Sequence, residues 1–269
     1  MLISIQENLL PGETLNEKLD CAEALQIDGV EIQGRSRLYD RISEYEAAFN
    51  SRSVRISSIC GQSTFDWLDP DLAKRQASID ESRRNLEACG HFGAAGQIVP
   101  PIFGPPRLPD LSPLKDAIAL EKELLVEITR DLAAFAHSHG TLLLLEPLNR
   151  YEQHLLRRQE DGVEIIQKAG DPPGVALLTD FFHMHIEEVD TPATIRRIGR
   201  YIGHVHVADN TRVQPGIGDI DWQAGIQALA DADFKGYLTY ECRVAGEPQA
   251  ALAQSVALLR ETIASVQDG

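Results

Sequence analysis

Four apolar segments in the second half of the chain each end in a residue that can bind a metal or transfer a proton. These residues are Glu146, Asp180, His206 and Glu241, and they follow one another at intervals of 26 to 35 residues. Such an interval accommodates a strand, a helix and their loops. A single buried carboxylate at a strand end is equally well explained by a salt bridge. Four such residues in phase indicate one shared site.

Three carboxylates and one imidazole form a ligand set that suits a hard or borderline divalent ion. We expect Mn²⁺ first, with Mg²⁺, Co²⁺ or Zn²⁺ as alternatives. A substrate with adjacent carbonyl and hydroxyl oxygens would fit the coordination positions that the protein leaves open.

Eight alternations of strand and helix must position these residues. Strands are predicted at 2–6, 29–33, 54–60, 97–102, 142–146, 175–180, 202–206 and 237–241. Helices are predicted at 14–25, 43–50, 69–88, 116–139, 162–169, 191–200, 221–232 and 248–265, with Thr14 and Thr191 as caps and Gly90 as a stop signal. The alternation and the length of 269 residues predict an α/β protein, a single (β/α)8 TIM barrel over residues 1–269.

Side chains alternate along a strand, which predicts where the reactive groups point. Glu146 and Glu241 would face one pocket from different sides of the barrel mouth, with Asp180 and His206 between them. His204 lies on the same face as His206, and we expect it to pack inside the barrel.

Composition excludes several classes of protein. A formal net charge of −16 argues against nucleic acid or an anionic membrane as a partner. There is no apolar run of membrane-spanning length, no basic leader at the N-terminus and no phosphate-binding glycine motif. The cysteines are scattered, as in a cytoplasmic protein with reduced thiols, and we expect them to have packing roles: Cys21, Cys60, Cys89 and Cys242.

Three motifs around the candidate ligands resemble a known family. They are Glu146-Pro-Leu-Asn-Arg-Tyr-Glu152, Asp180-Phe-Phe-His183-Met, and Gly203-His-Val-His206 followed by Pro215-Gly-Ile-Gly218. They look like the strand-5, strand-6 and strand-7 motifs of the xylose isomerase-like barrel superfamily, in the branch that contains D-tagatose 3-epimerase and D-psicose 3-epimerase. The N-terminal half offers no clear match.

The resemblance implies a sugar isomerase or epimerase. Glu146, Asp180, His206 and Glu241 would bind the metal, and Glu146 and Glu241 would also form the acid/base pair. The metal would stabilise an enediolate of a ketose while a proton moves, giving C3 epimerisation or aldose–ketose isomerisation. The family also suggests a dimer or tetramer.

Substrate contacts follow from the same resemblance. Glu152 and His183 would bind sugar hydroxyls, and Arg212 is the candidate arginine, one residue away from the family's usual position before Pro-Gly. For Glu152 the alternative is a salt bridge to Arg150 or Arg157. His185 is expected to share a face with His183. The proline-rich segment 100–109 either walls this pocket or is a plain surface connection.

Three other functions compete with this hypothesis. A metal-dependent dehydratase acting on inosose or 3-dehydroshikimate would use a similar barrel and similar ligands. A trinuclear zinc endonuclease is disfavoured, because histidines are missing at the ends of strands 3 and 4. A non-catalytic barrel is disfavoured by the intact set of four ligands.

Overall fold

The computed structural model describes residues 1–35 and 38–267, and its sheet is a closed barrel of eight parallel strands. The strands are β1 (Leu2–Gln6), β2 (Gly29–Gln33), β3 (Arg55–Cys60), β4 (Gly96–Val99), β5 (Leu142–Leu145), β6 (Val175–Asp180), β7 (Ile202–Val207) and β8 (Tyr237–Tyr240). Pairing of β8 with β1 closes the barrel. The predicted TIM barrel is therefore confirmed.

Helices on the outside of the barrel follow the strands. They are α1 (Leu15–Ala24), α2 (Ile42–Phe49), α3 (Leu72–Phe92), α4 (Ala117–Ser138), α5 (Gln159–Lys168), α6 (Phe181–Glu187), α7 (Thr191–Ile198), α8 (Trp222–Asp231) and α9 (Pro248–Gln267). Within the described ranges, every helix is too short or too polar to span a lipid bilayer.

The predicted ends of α3 are wrong for two local reasons. The Asp71 side chain accepts hydrogen bonds from the first turn, so the helix begins after Asp71 rather than at the preceding Asp-Pro pair. Gly90 lies inside the helix, where a Cβ would come within 2.4 Å of the His139 carbonyl oxygen. Gly93, with a φ of +66°, ends the helix instead.

The predicted caps of two other helices have different outcomes. Thr14 caps α1 in a reciprocal arrangement with Glu17, as expected. Thr191 was the wrong choice for α7, because Asp190 accepts the hydrogen bond from the main-chain N–H of Ala193. Thr191 is the first residue of that helix.

Helix α6 follows β6 directly and was not predicted. The Asp180 carboxylate accepts hydrogen bonds from the main-chain N–H groups of Phe182 at 2.7 Å and His183 at 3.4 Å, which starts the helix at the strand end. On an α-helix, side chains two positions apart point in different directions. His183 is therefore buried while His185 is exposed beside Asp219, and the expectation that the two histidines share a face is wrong.

The barrel interior has an apolar side and a polar side. Strands β4 to β6 contribute a small apolar cluster that contains Ile98, Leu144, Ala176 and Leu178. On the polar side, His204 lies 3.2 Å from Ser58 Oγ and 2.8 Å from Thr239 Oγ1. His204 thus packs inside the barrel, as expected from the alternation along β7.

Candidate active site

The four candidate ligands meet at the C-terminal mouth of the barrel. One ligand atom from each of Glu146, Asp180, His206 and Glu241 lies within 4.8 Å of the others. Nδ1 of His206 is 3.2 Å from Glu241 Oε2, 3.8 Å from Glu146 Oε1 and 4.0 Å from Asp180 Oδ2. Three of the side chains are buried, and Glu241 remains 21% exposed. Solvent therefore reaches the cluster on the Glu241 side.

Two atoms of this cluster are buried without a hydrogen-bond partner. They are Oδ2 of Asp180 and Nδ1 of His206, as judged over the described residues. Buried polar atoms normally have partners, so such a pair on the same cluster needs an explanation. A cation bound by the four residues would provide it, and the carboxylate-rich donor set fits a divalent metal.

The surroundings shift the pKa values of the two glutamates in the cluster in opposite directions. Burial, together with the carboxylates of Glu241 and Asp180, raises the pKa of Glu146 well above its usual range. Burial also opposes ionisation of Glu241, but His206 and Arg212 outweigh it and lower the pKa of Glu241 to about 2. Opposed pKa values in neighbouring carboxyl groups are typical of acid/base pairs.

Arg212 reaches the cluster from the loop after β7. Its Nη2 lies 2.6 Å from Glu241 Oε2 and 3.8 Å from Asp180 Oδ2, while Nη1 lies 3.1 Å from His183 Nε2. The guanidinium also stacks over the Phe182 ring at 4.6 Å. The backbone φ of Arg212 is +55°, an uncommon conformation for a residue with a side chain. The tertiary structure therefore places this arginine beside two candidate ligands.

Asp209, which follows β7, organises the loop that carries Arg212. Its buried carboxylate accepts hydrogen bonds from the main-chain N–H groups of Asn210, Gly216 and Ile220 and from the Trp222 indole. Its main-chain oxygen accepts from the N–H of Arg212 at 2.7 Å. A Cβ at Gly218 would lie 2.1 Å from Asp209 Oδ1, so that position requires glycine.

Glu152 belongs to a chain of polar contacts that leads to His183. Its Oε1 accepts a hydrogen bond from Asn149 Nδ2 at 2.9 Å, and Asn149 Nδ2 lies 2.8 Å from His183 Nδ1. Arg150 forms its ion pair with Glu187 at 2.8 Å rather than with Glu152. Asn149 was missed as a functional candidate although it lies inside the strand-5 motif.

The proline-rich segment after β4 lies against the loop that carries Glu152. The main-chain N–H of Gly104 donates to the Glu152 carbonyl oxygen at 2.7 Å, and Gly104 forms a bridge with Gln153. The Phe103 ring packs edge-on against Phe65 at a centroid distance of 4.9 Å. The segment is thus part of the barrel rim next to Glu152.

The N-terminal strands contribute residues that sequence reasoning missed. Glu31 Oε2 lies 3.1 Å from His206 Nε2, and Gln6 donates to both Glu31 and Glu241 at 2.9 Å. Cys60 Sγ lies 3.9 Å from Glu241 Oε1. The sequence did contain one indication: Glu31 is the only charged residue in β2, where the other side chains are apolar or, at Gln33, an amide.

Comparison with known proteins places this geometry in context. A family model described as xylose isomerase-like TIM barrel matches residues 19–262. The 3-dehydro-D-guloside 4-epimerase of Escherichia coli is 32% identical over 97% of this chain and 99% of its own length. The D-psicose 3-epimerase of Ruminiclostridium cellulolyticum is 37% identical over 43% of this chain and 39% of its own length.

Two solved structures share the architecture. The apo crystal structure of 3-keto-D-glucoside 4-epimerase from E. coli superposes with a TM-score of 0.86 at 31% identity, covering 97% of this chain and 99% of that chain. The structure of D-psicose 3-epimerase from Clostridium cellulolyticum H10 with D-tagatose gives a TM-score of 0.84 at 21% identity, with 98% and 99% coverage. At that identity the second likeness concerns the fold alone.

Proposed function

The chain belongs to the xylose isomerase-like TIM barrel family, and from this premise we propose that it is a divalent-metal-dependent sugar epimerase. It is an enzyme of the isomerase class, to which its relatives with named epimerase activities belong. In the proposed reaction, a proton leaves the carbon beside a keto group and another returns to the opposite face. The observation that carries the proposal is the convergence of three carboxylates and one imidazole at the barrel mouth.

The metal would be held by Glu146, Asp180, His206 and Glu241. The unpartnered buried atoms of Asp180 and His206 support this assignment. When bound, a divalent ion would polarise the substrate carbonyl and offset the negative charge of an enediolate. The excess of carboxylate over imidazole ligands favours Mn²⁺ as the first ion to test.

Proton transfer would be carried out by Glu146 and Glu241. They extend from β5 and β8, which are not neighbours in the sheet, so they approach the pocket from different sides. One carboxylate would take the proton from the carbon beside the carbonyl, and the other would supply a proton to the opposite face. Two bases on different sides give epimerisation, which a single base cannot easily achieve.

Substrate oxygens would be bound by Arg212, His183 and Glu152. Arg212 supplies N–H donors next to the cluster and lies 3.1 Å from His183 Nε2, and Glu152 supplies an acceptor at the rim with 38% of its side chain exposed. Charge-assisted hydrogen bonds of this kind orient hydroxyl and carbonyl oxygens strongly.

The extent of the sequence matches favours one substrate class. The E. coli 4-epimerase aligns over nearly the whole chain, whereas the ketose 3-epimerases align over less than half of it. The sequence match to the 4-epimerase therefore extends into the N-terminal half of the chain. We place a 3-keto-glycoside, epimerised at C4, ahead of a free ketose epimerised at C3.

Isotope exchange tests this proposal directly. The Mn²⁺-loaded protein is incubated in D₂O with methyl 3-keto-glucoside and with a panel of free ketoses, and NMR locates the deuterium after the metal is stripped. Deuterium at C4 of the keto-glycoside with a new epimer supports the first substrate class, and deuterium at C3 of a ketose supports the second. The E146Q variant serves as the control. If the wild-type protein, like the E146Q control, incorporates no deuterium into any of these sugars, the proposal is contradicted. Loss of water from a substrate would instead indicate a dehydratase.

A further inference from the structure

We infer that Glu31 is a positioning residue that holds His206 in the tautomer required for metal binding, an inference that rests on the proposed function. Glu31 lies in β2 and its side chain is fully buried. Its Oε2 is 3.1 Å from His206 Nε2. Glu31 is not one of the four residues around the metal position, so it would act only through His206.

The argument for the tautomer rests on which atoms can donate. A neutral imidazole has one N–H donor and one nitrogen acceptor, and an ionised carboxylate can only accept. The hydrogen bond to Glu31 therefore requires the proton on Nε2, whereas Nδ1 forms no hydrogen bond with described residues although Glu241 Oε2 lies 3.2 Å away. Nδ1 is left with its lone pair, and it faces the carboxylates of Glu146, Asp180 and Glu241 at 3.2 to 4.0 Å. A lone pair on Nδ1 is what a metal ligand requires.

Glu31 is itself fixed by donors from two other strands. Gln6 of β1 donates to its Oε1 at 2.9 Å, and Ser58 of β3 donates to its Oε2 at 2.6 Å. Together with His206, these groups satisfy both oxygens of a carboxylate that has no access to solvent. A buried carboxylate with several donors is held in one orientation, and so is the ring that it binds.

Gln6 extends the same support to a second candidate ligand. Its Nε2 also donates to Glu241 Oε1 at 2.9 Å. One amide thus joins the carboxylate behind His206 to the carboxylate of Glu241. The N-terminal strands β1 to β3, which supply none of the four candidate ligands, would in this way orient the two ligands on β7 and β8.

Metal affinity provides the first test. The dissociation constant of Mn²⁺ is measured by competition with a chelating dye for wild type and for E31Q, which has nearly the same shape. Loss of such a supporting partner typically weakens metal binding about 10- to 100-fold, and we expect a change of this size. The matched control is E121Q, because Glu121 is also fully buried and lies 2.5 Å from a histidine nitrogen, that of His154, away from the cluster. E121Q should bind Mn²⁺ like the wild type.

The tautomer is measured in the wild-type protein, so the test survives if E31Q does not fold. Zn²⁺ is used because it is diamagnetic, and ¹⁵N-histidine NMR reports which ring nitrogen carries the proton, with H206N to assign the signals. We expect the proton of His206 on Nε2. A proton on Nδ1 would overturn the inference, and so would equal Mn²⁺ affinity in folded E31Q and wild type. Wild-type protein that binds no divalent ion would refute the proposed function instead.

Discussion

The main-chain N–H of Asn149 donates a hydrogen bond to Nδ1 of His183 over 3.2 Å. Because a main-chain N–H can only donate, Nδ1 accepts this hydrogen bond. Nε2 lies 3.6 Å from Asp180 Oδ2, beside the candidate metal ligands. Burial lowers the pKa of His183, which keeps the ring neutral. The ring thus joins the main chain of Asn149 on one side to Arg212 on the other, where Nη1 lies 3.1 Å from Nε2.

Substitution of Asn149 by Asp should disturb this arrangement. The new carboxylate would lie about 3 Å from His183 Nδ1, where it stabilises the imidazolium, and it would repel Glu152. We expect N149D to raise the pKa of His183 and to increase KM about tenfold, equivalent to about 1.4 kcal/mol. Histidine NMR and steady-state kinetics measure the two effects. N149S, which keeps the main-chain donor and adds no charge, is the control, and an unchanged His183 pKa in N149D would contradict the assignment.

A metal bound at the cluster should stabilise the folded protein. Binding to the folded state alone contributes about 2.7 kcal/mol when the free ion is at 100 times its Kd. We therefore expect Mn²⁺ to raise the Tm of the wild type by several degrees, while treatment with a chelator reverses the shift and removes epimerase activity. D180N, which removes the charge of one candidate ligand, should lose most of the shift. An equal shift in D180N and wild type would place the ion elsewhere.

Asp209 should matter for substrate binding without contacting the substrate. An amide in its place would direct N–H groups at some of the four donors that the carboxylate now accepts. We expect D209N to lose about 1–3 kcal/mol of unfolding free energy. KM should rise more than kcat falls, because the loop that holds Arg212 loosens. Chemical denaturation and kinetics provide the measurements, and wild-type values for both would show that the loop is held by other contacts.

The pair formed by His154 and Glu121 should make stability depend on pH. Burial opposes the charged form of His154, but its hydrogen bond to Glu121 outweighs burial and raises its pKa above the ordinary 6.5. Burial likewise acts against ionisation of Glu121, yet His154 and two main-chain N–H groups lower its pKa below the ordinary 4.5. The contribution is therefore complete between about pH 4.5 and 6.5. It is lost as pH rises through the raised pKa of His154 or falls through the lowered pKa of Glu121.

The measurement for this pair is the unfolding free energy of wild type and H154N across pH. We expect a difference of about 1–3 kcal/mol near pH 5.5 that shrinks toward alkaline pH. H91N is a suitable control, since His91 pairs with Glu46 on the surface, where both side chains are about half exposed. A wild-type advantage that stays constant from pH 5.5 to 9 would rule out the ion pair as its source.

Local pattern was sufficient to predict the architecture and the four candidate ligands. The apolar runs that end in Glu146, Asp180, His206 and Glu241 are short and contiguous, so strand, strand end and facing direction can be read within a few residues. Parallel strands in a closed barrel present their C-terminal ends at one mouth. Once the eight alternations are recognised, the meeting of these residues follows from geometry.

The supporting contacts depended on tertiary structure. Glu31 and His206 are separated by 175 positions in the chain, and Gln6 and Glu241 by 235. No local preference encodes a pairing at such distances, because it exists only when the closed barrel sets the register of β1 and β2 against β7 and β8. The start of α6 at Asp180 could not be predicted from local sequence either. A carboxylate at a strand end can serve as a helix cap, a salt-bridge partner or a metal ligand. Which of these roles its two oxygens take was decided by the atoms that surround them after folding.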